Sequence, residues 1–77
     1  MTQMREKCAD ELERVVQCRE VARCHWRRDK TDNEQVQQAR MESLAQFNEV
    51  VAALKRALVE NSGDLMIRAL DLSKRTP

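Results

Sequence analysis

The chain has 77 residues, of which 35% are charged, with one glycine, one proline and a formal net charge of +1. This composition is typical of long helices and excludes a strand-rich fold, while so small a net charge does not by itself indicate a polyanionic partner. A chain this short buries little apolar area alone, so a single all-α module that oligomerises is expected.

The first predicted helix covers about residues 3–28, which contain no glycine or proline. One face carries an apolar stripe in which Arg19 is a polar member, with a spacing closer to an 11-residue repeat than to a heptad. Its apolar members are Met4, Cys8, Leu12, Val15, Ala22 and Trp26. A heptad register, with Glu11 intruding, is the alternative, and the two stay open. That register runs through Met1, Met4, Cys8, Val15, Cys18 and Ala22.

A polar connection over about residues 29–31 is predicted next, because residues 27–35 include no apolar side chain. Thr31 followed three residues later by Glu34 matches a capping box, which favours the start of a new helix here. The segment contains no glycine or proline, which favours one continuous helix instead. We expect the break.

The second predicted helix covers about residues 32–60 and contains the stretch that organises the chain, residues 41–58. Apolar residues recur there at alternating steps of three and four, which is the spacing of a coiled-coil seam. The seam consists of Leu44, Phe47, Val51, Leu54 and Leu58. Gly63 is expected to end this helix in the left-handed conformation.

A short third helix is predicted over about residues 65–73, with Ser62 or Asp64 as its N-terminal cap. Its apolar face consists of Leu65, Met66, Ala69, Leu70 and Leu72. A helix of this length is not stable alone, so we expect it to dock on the longer helices.

Together these elements predict an all-α fold over residues 1–77, with two long helices in an antiparallel hairpin and a short C-terminal helix. The hairpin leaves apolar surface uncovered, so a coiled-coil-like dimer or four-helix bundle is expected. The alternative is one continuous helix from Gln3 to Glu60 in a parallel coiled coil. The expected oligomer interface consists of Leu12, Val15, Trp26, Leu44, Phe47, Val51, Leu54 and Leu58.

A basic strip lies between Arg14 and Lys30, where six basic and two acidic residues give a local charge of +4. Such a strip suits nucleic-acid phosphates or an acidic filament surface. The candidate polyanion-binding residues are Arg19, Arg23, Arg27, Arg28 and Lys30. We favour the structural interpretation, in which the arginine stems cover apolar surface and their charges pair with acids on neighbouring helices.

Catalytic and metal chemistry are not indicated. Cys18 and His25 share a helix face but lie two turns, about 10 Å, apart, too far for one metal ion with bonds of about 2.0–2.3 Å. Cys24 points elsewhere on the helix. There is no glycine-rich phosphate loop and no nucleophile–base pair, so we expect no enzyme activity, no metal and no cofactor.

The leading functional hypothesis is a structural module that mediates self-association in an intracellular scaffold such as a cytoskeletal, centrosomal or kinetochore protein, with a homodimer as the favoured homo-oligomer. Cys8, Cys18 and Cys24 follow no secretory leader, so reduced thiols in the cytoplasm or nucleus are expected. No membrane partner is expected, because no apolar run is long enough to span a bilayer. The alternative is salt-sensitive polyanion binding by the basic strip. A third hypothesis is a partner helix bound along the face from Leu65 to Leu72.

Overall fold

The computed structural model describes residues 2–75, and these residues form three α-helices and no strand. The helices are α1, Thr2–Arg28, α2, Glu34–Glu60, and α3, Gly63–Arg75. The all-helical prediction is therefore confirmed. Met1, which the alternative heptad register includes, lies outside the described residues.

The polypeptide breaks between α1 and α2 at residues 29–33, so a continuous helix from Gln3 to Glu60 is not observed. The cap of α2 is Asn33, whose side-chain oxygen accepts from the backbone N–H groups of Gln35 at 2.9 Å and Val36 at 3.4 Å. The predicted capping box at Thr31 was wrong. The Thr31 hydroxyl accepts from the Asn33 N–H at 3.2 Å instead, because asparagine caps a helix at least as well as threonine and stands two residues nearer to its start.

The junction between α2 and α3 also differs from the prediction. Asn61, with φ 52° and ψ 40°, adopts the left-handed conformation, and its N–H donates to the carbonyl of Ala57. Gly63 has no positive φ and begins α3, so the prediction that it ends the second helix was wrong. Asparagine tolerates the left-handed region better than most residues. Ser62 caps α3, because its hydroxyl accepts from the Leu65 N–H at 3.4 Å.

Polar contacts place the start of α1 beside the end of α2. Arg5 donates to the carbonyl of Leu58 at 3.0 Å, close to the last turn of α2. Farther along, Arg19 donates to the side-chain oxygen of Asn48 at 2.9 Å.

The core lies where α3 packs against the first half of α1 and the second half of α2. All three helices contribute to its buried side chains, which are Cys8, Val15, Val50, Val51, Leu54, Ala57, Met66 and Ala69. The Cys8 thiol donates to the carbonyl of Met66 at 3.9 Å. Burial raises the pKa of the Cys8 thiol above its ordinary value, because an apolar environment disfavours the thiolate.

Two of the three helices extend well beyond this core. With 27 residues each, α1 and α2 are about 40 Å long, whereas the 13 residues of α3 span about 20 Å. No residue from 16 to 49 is buried. We call this part, residues 16–49, the two-helix end, and the part that contains α3 the three-helix end.

Candidate interaction surface

The predicted interface residues fall into two groups. Val15, Val51 and Leu54 are only 4%, 4% and 0% exposed and lie in the core of the three-helix end. In this arrangement they contact their own chain, and they would reach a second copy only if the three-helix end opened. A coiled-coil seam requires a covering helix but does not specify which chain supplies it.

The remaining predicted interface residues are partly exposed. Leu12, Phe47 and Leu58 are half-buried and pack against the edge of the core. Trp26 and Leu44 are also half-buried and lie at the two-helix end. Three of these five residues therefore belong to the two-helix end.

Trp26 is held by Arg40, a residue that the sequence did not single out. The Arg40 guanidinium carbon lies 5.9 Å from the centre of the indole ring, within cation–π range. The same guanidinium donates to the carbonyl of Asp29 at 2.8 Å and to its carboxylate at 3.2 Å. Only 19% of the Arg40 side chain is exposed. These contacts fix the last turn of α1 against the first half of α2.

A groove runs along α1 beyond the end of α3. Arg14 lines both this groove and the one between α1 and α3, where it is joined by Leu70 and Lys74. The groove at the two-helix end therefore continues the face of α1 that α3 covers. It is lined by Arg14, Gln17, Cys18, Val21, Ala22, His25 and Trp26.

Exposed apolar side chains occur on both helices of the two-helix end. Val21 of α1 is 70% exposed and lines the groove. On α2, Val36 is 37% exposed and Met41 is 68% exposed. Val36 lies on the α2 face that leads at helical spacing to Phe47 and the core, whereas Met41 lies off that face.

The predicted polyanion-binding residues are not equally available. Arg19 is half-buried and donates to Asn48, and Arg23 lies 3.6 Å from the carboxylate of Glu20. The side chains of the other three are exposed and make no hydrogen bond or ion pair with any described residue. They are Arg27, Arg28 and Lys30.

The described residues contain no cluster of three or more His, Cys, Asp or Glu side chains placed to bind a metal ion. Cys18 and Cys24 are exposed free thiols, and Cys8 is a buried one. None of the helices in the described range is long and apolar enough to cross a membrane. The chain matches no family model, and neither curated proteins nor solved structures give a match.

Proposed function

We propose that this chain is a non-enzymatic interaction module that associates with a second copy of itself through the two-helix end. The observation that supports this proposal is the absence of any buried side chain among residues 16–49, although Trp26, Val36, Leu44 and Phe47 lie there. An apolar helix face is stable in water when another helix covers it. At this end α1 and α2 cover only each other, and residues 2–75 supply no third helix there.

The surface area is consistent with the same proposal. The accessible surface is 6002 Å² for a chain of 9.0 kDa. A compact monomer of this mass exposes about 4,900 Å², so the excess is about 1,100 Å². A specific protein–protein interface buries about 800 Å² on each partner. The excess area is therefore larger than the area that each partner buries in a standard interface.

Association of two such ends would give a four-helix arrangement, the assembly expected from the sequence. A role in an intracellular scaffold is part of this proposal. By dimerising, the two copies would hold together the molecules bound to each of them. This role requires no catalytic residue.

The test is the molar mass in solution, measured by sedimentation equilibrium across a hundredfold range of concentration. We expect a reversible monomer–dimer equilibrium. Replacing two exposed valines, Val21→Gln with Val36→Gln, should weaken the dimer at least tenfold, because each burial lost costs about 1–2 kcal/mol.

The control removes two exposed apolar side chains at the three-helix end, Val59→Gln with Ile67→Gln; Val59 is 85% exposed and Ile67 is 55% exposed. This control should leave the dissociation constant within about threefold of the original. A chain that stays monomeric at every concentration would refute the proposal. Equal weakening by both pairs of substitutions would refute the assignment to the two-helix end.

Polyanion binding is the second candidate, favoured by the three cationic side chains without an ion pair in and just after the last turn of α1, Arg27, Arg28 and Lys30. It requires that the triple substitution Arg27→Gln, Arg28→Gln and Lys30→Gln weaken binding to a DNA duplex and flatten its salt dependence, since each lost phosphate contact reduces the slope by about one. Binding with an unchanged salt slope would exclude this role.

A further inference from the structure

The two-helix end has one basic side and one acidic side. Residues 14–30, which include the second half of α1, contain six basic and two acidic residues, a charge of +4. Residues 31–49, which include the first half of α2, contain four acidic residues and one basic residue, a charge of −3. The acidic residues are Asp32, Glu34, Glu42 and Glu49.

Most of these charges form no ion pair with any described residue. Asp29 and Arg40, 3.2 Å apart, form the one ion pair of the described residues that joins the α1 side to α2. Arg14 and Arg23 pair within their own helix, with Glu11 and Glu20 respectively. None of the four acids on the α2 side forms an ion pair in the described part of the chain, and neither do Arg27, Arg28 and Lys30.

A symmetric pair of copies can satisfy both sets at once. In a two-fold interface the same patch of each copy faces the other. If α1 lay beside the partner's α1, a strip of +4 would face another strip of +4, and like charges across an interface are strongly unfavourable. If α1 lies beside the partner's α2, a strip of +4 faces one of −3, and symmetry repeats the match.

Other occupants fit this surface less well. A nucleic acid or an acidic helix laid over the two-helix end would meet the basic half of α1 but also the acidic half of α2. The net charge of the two halves together is only +1. The surface is complementary to itself and not to a uniformly charged partner.

We infer that, in the dimer, the basic half of α1 of each copy lies along the acidic half of the partner's α2. The apolar groove residues lie between these two charged strips. This inference rests on the proposed self-association and specifies its geometry. Apolar side chains such as Val21, Trp26 and Val36 would form the centre of the interface, and the charges its rim, which is the usual anatomy of a protein–protein interface.

Three charge-swap variants test the pairing. The acidic-α1 variant carries Arg27→Glu, Arg28→Glu and Lys30→Glu. The basic-α2 variant carries Glu34→Lys, Glu42→Lys and Glu49→Lys. The double-swap variant carries all six substitutions and keeps the net charge of the original chain. All six side chains are exposed, and none forms a hydrogen bond or an ion pair with a described residue of another helix. Circular dichroism monitors folding of each variant.

The acidic-α1 and basic-α2 variants are the two single-swap variants. We expect each of them to dimerise at least tenfold more weakly than the original chain at low salt, since the strips of α1 and α2 that face each other would then carry charge of the same sign. An equimolar mixture of the two single-swap variants should form a heterodimer. The double-swap variant should dimerise within about threefold of the original. It should form no heterodimer with the original chain, as measured by native mass spectrometry, because in such a heterodimer each α1 would face a partner's α2 that carries charge of the same sign.

The outcomes separate the inference from the proposal beneath it. A double-swap variant that mixes readily with the original chain would indicate that α1 lies beside the partner's α1, and would overturn the inference while self-association stands. Single-swap variants that dimerise as tightly as the original would overturn it as well. An original chain that is monomeric throughout would overturn both.

Discussion

Replacing Leu54 with alanine tests whether one chain builds the core. Leu54 is 0% exposed and belongs to a cluster with side chains from all three helices. Truncating such a leucine costs about 2–5 kcal/mol. Since the cavity would be surrounded on every side, we expect about 3 kcal/mol, equivalent to a drop of about 12–24 °C in the melting temperature of a domain this size.

The assay is urea denaturation followed by circular dichroism at protein concentrations that span a hundredfold range. Because the neighbours of Leu54 belong to the same chain, its penalty should not depend on concentration. Val59→Ala, in the same helix but at a position 85% exposed, is the control and should change the free energy of unfolding by less than about 0.5 kcal/mol. A penalty that changes with dilution would place Leu54 between chains and refute the one-chain core.

Three further predictions concern stability, measured by urea denaturation. Because burial raises the pKa of the folded Cys8 thiol, the unfolded chain loses its proton first, and stability should fall as pH rises above about 8.5; Cys8→Ala should remove this loss. Asn33→Ala removes two capping hydrogen bonds and should cost about 1 kcal/mol, more than Thr31→Ala, which removes one. Asn61→Ala should be less stable than Asn61→Gly by about 1 kcal/mol, because only glycine adopts the left-handed conformation without strain; equal stabilities would contradict this.

The all-helical fold could be predicted because the periodicity of apolar residues is a local signal. Val51 and Leu54 belong to the seam read from the sequence, and both are buried. What the seam could not show is which helix covers it. The steps of three and four are the same whether the cover is α1 and α3 of one chain or the helices of another.

The helix ends were harder to predict for a different reason. Near each end of α2 the sequence contains two residues, two positions apart, that can each form the cap or adopt the left-handed conformation. Thr31 competes with Asn33 for the cap of α2, and Asn61 competes with Gly63 for the left-handed residue. The energy difference between such candidates is about 1 kcal/mol or less, so the packing of the helices decides the outcome.

The contact between Trp26 and Arg40 could not be read from the sequence at all. The two residues lie on different helices, and their meeting depends on how far α1 is shifted along α2. No periodicity within one helix encodes that shift.

The short reach of α3 has a consequence for how stability is distributed along the molecule. Every buried side chain among residues 3–75 lies at the end that α3 covers, so amide hydrogens there should exchange only when the whole chain unfolds. At the opposite end α1 and α2 are held mainly by Arg19, Arg40 and a few half-buried apolar contacts, and their amides should exchange through local opening. The three-helix end would thus be rigid and the two-helix end flexible, and docking of a second copy would make the two-helix end more rigid.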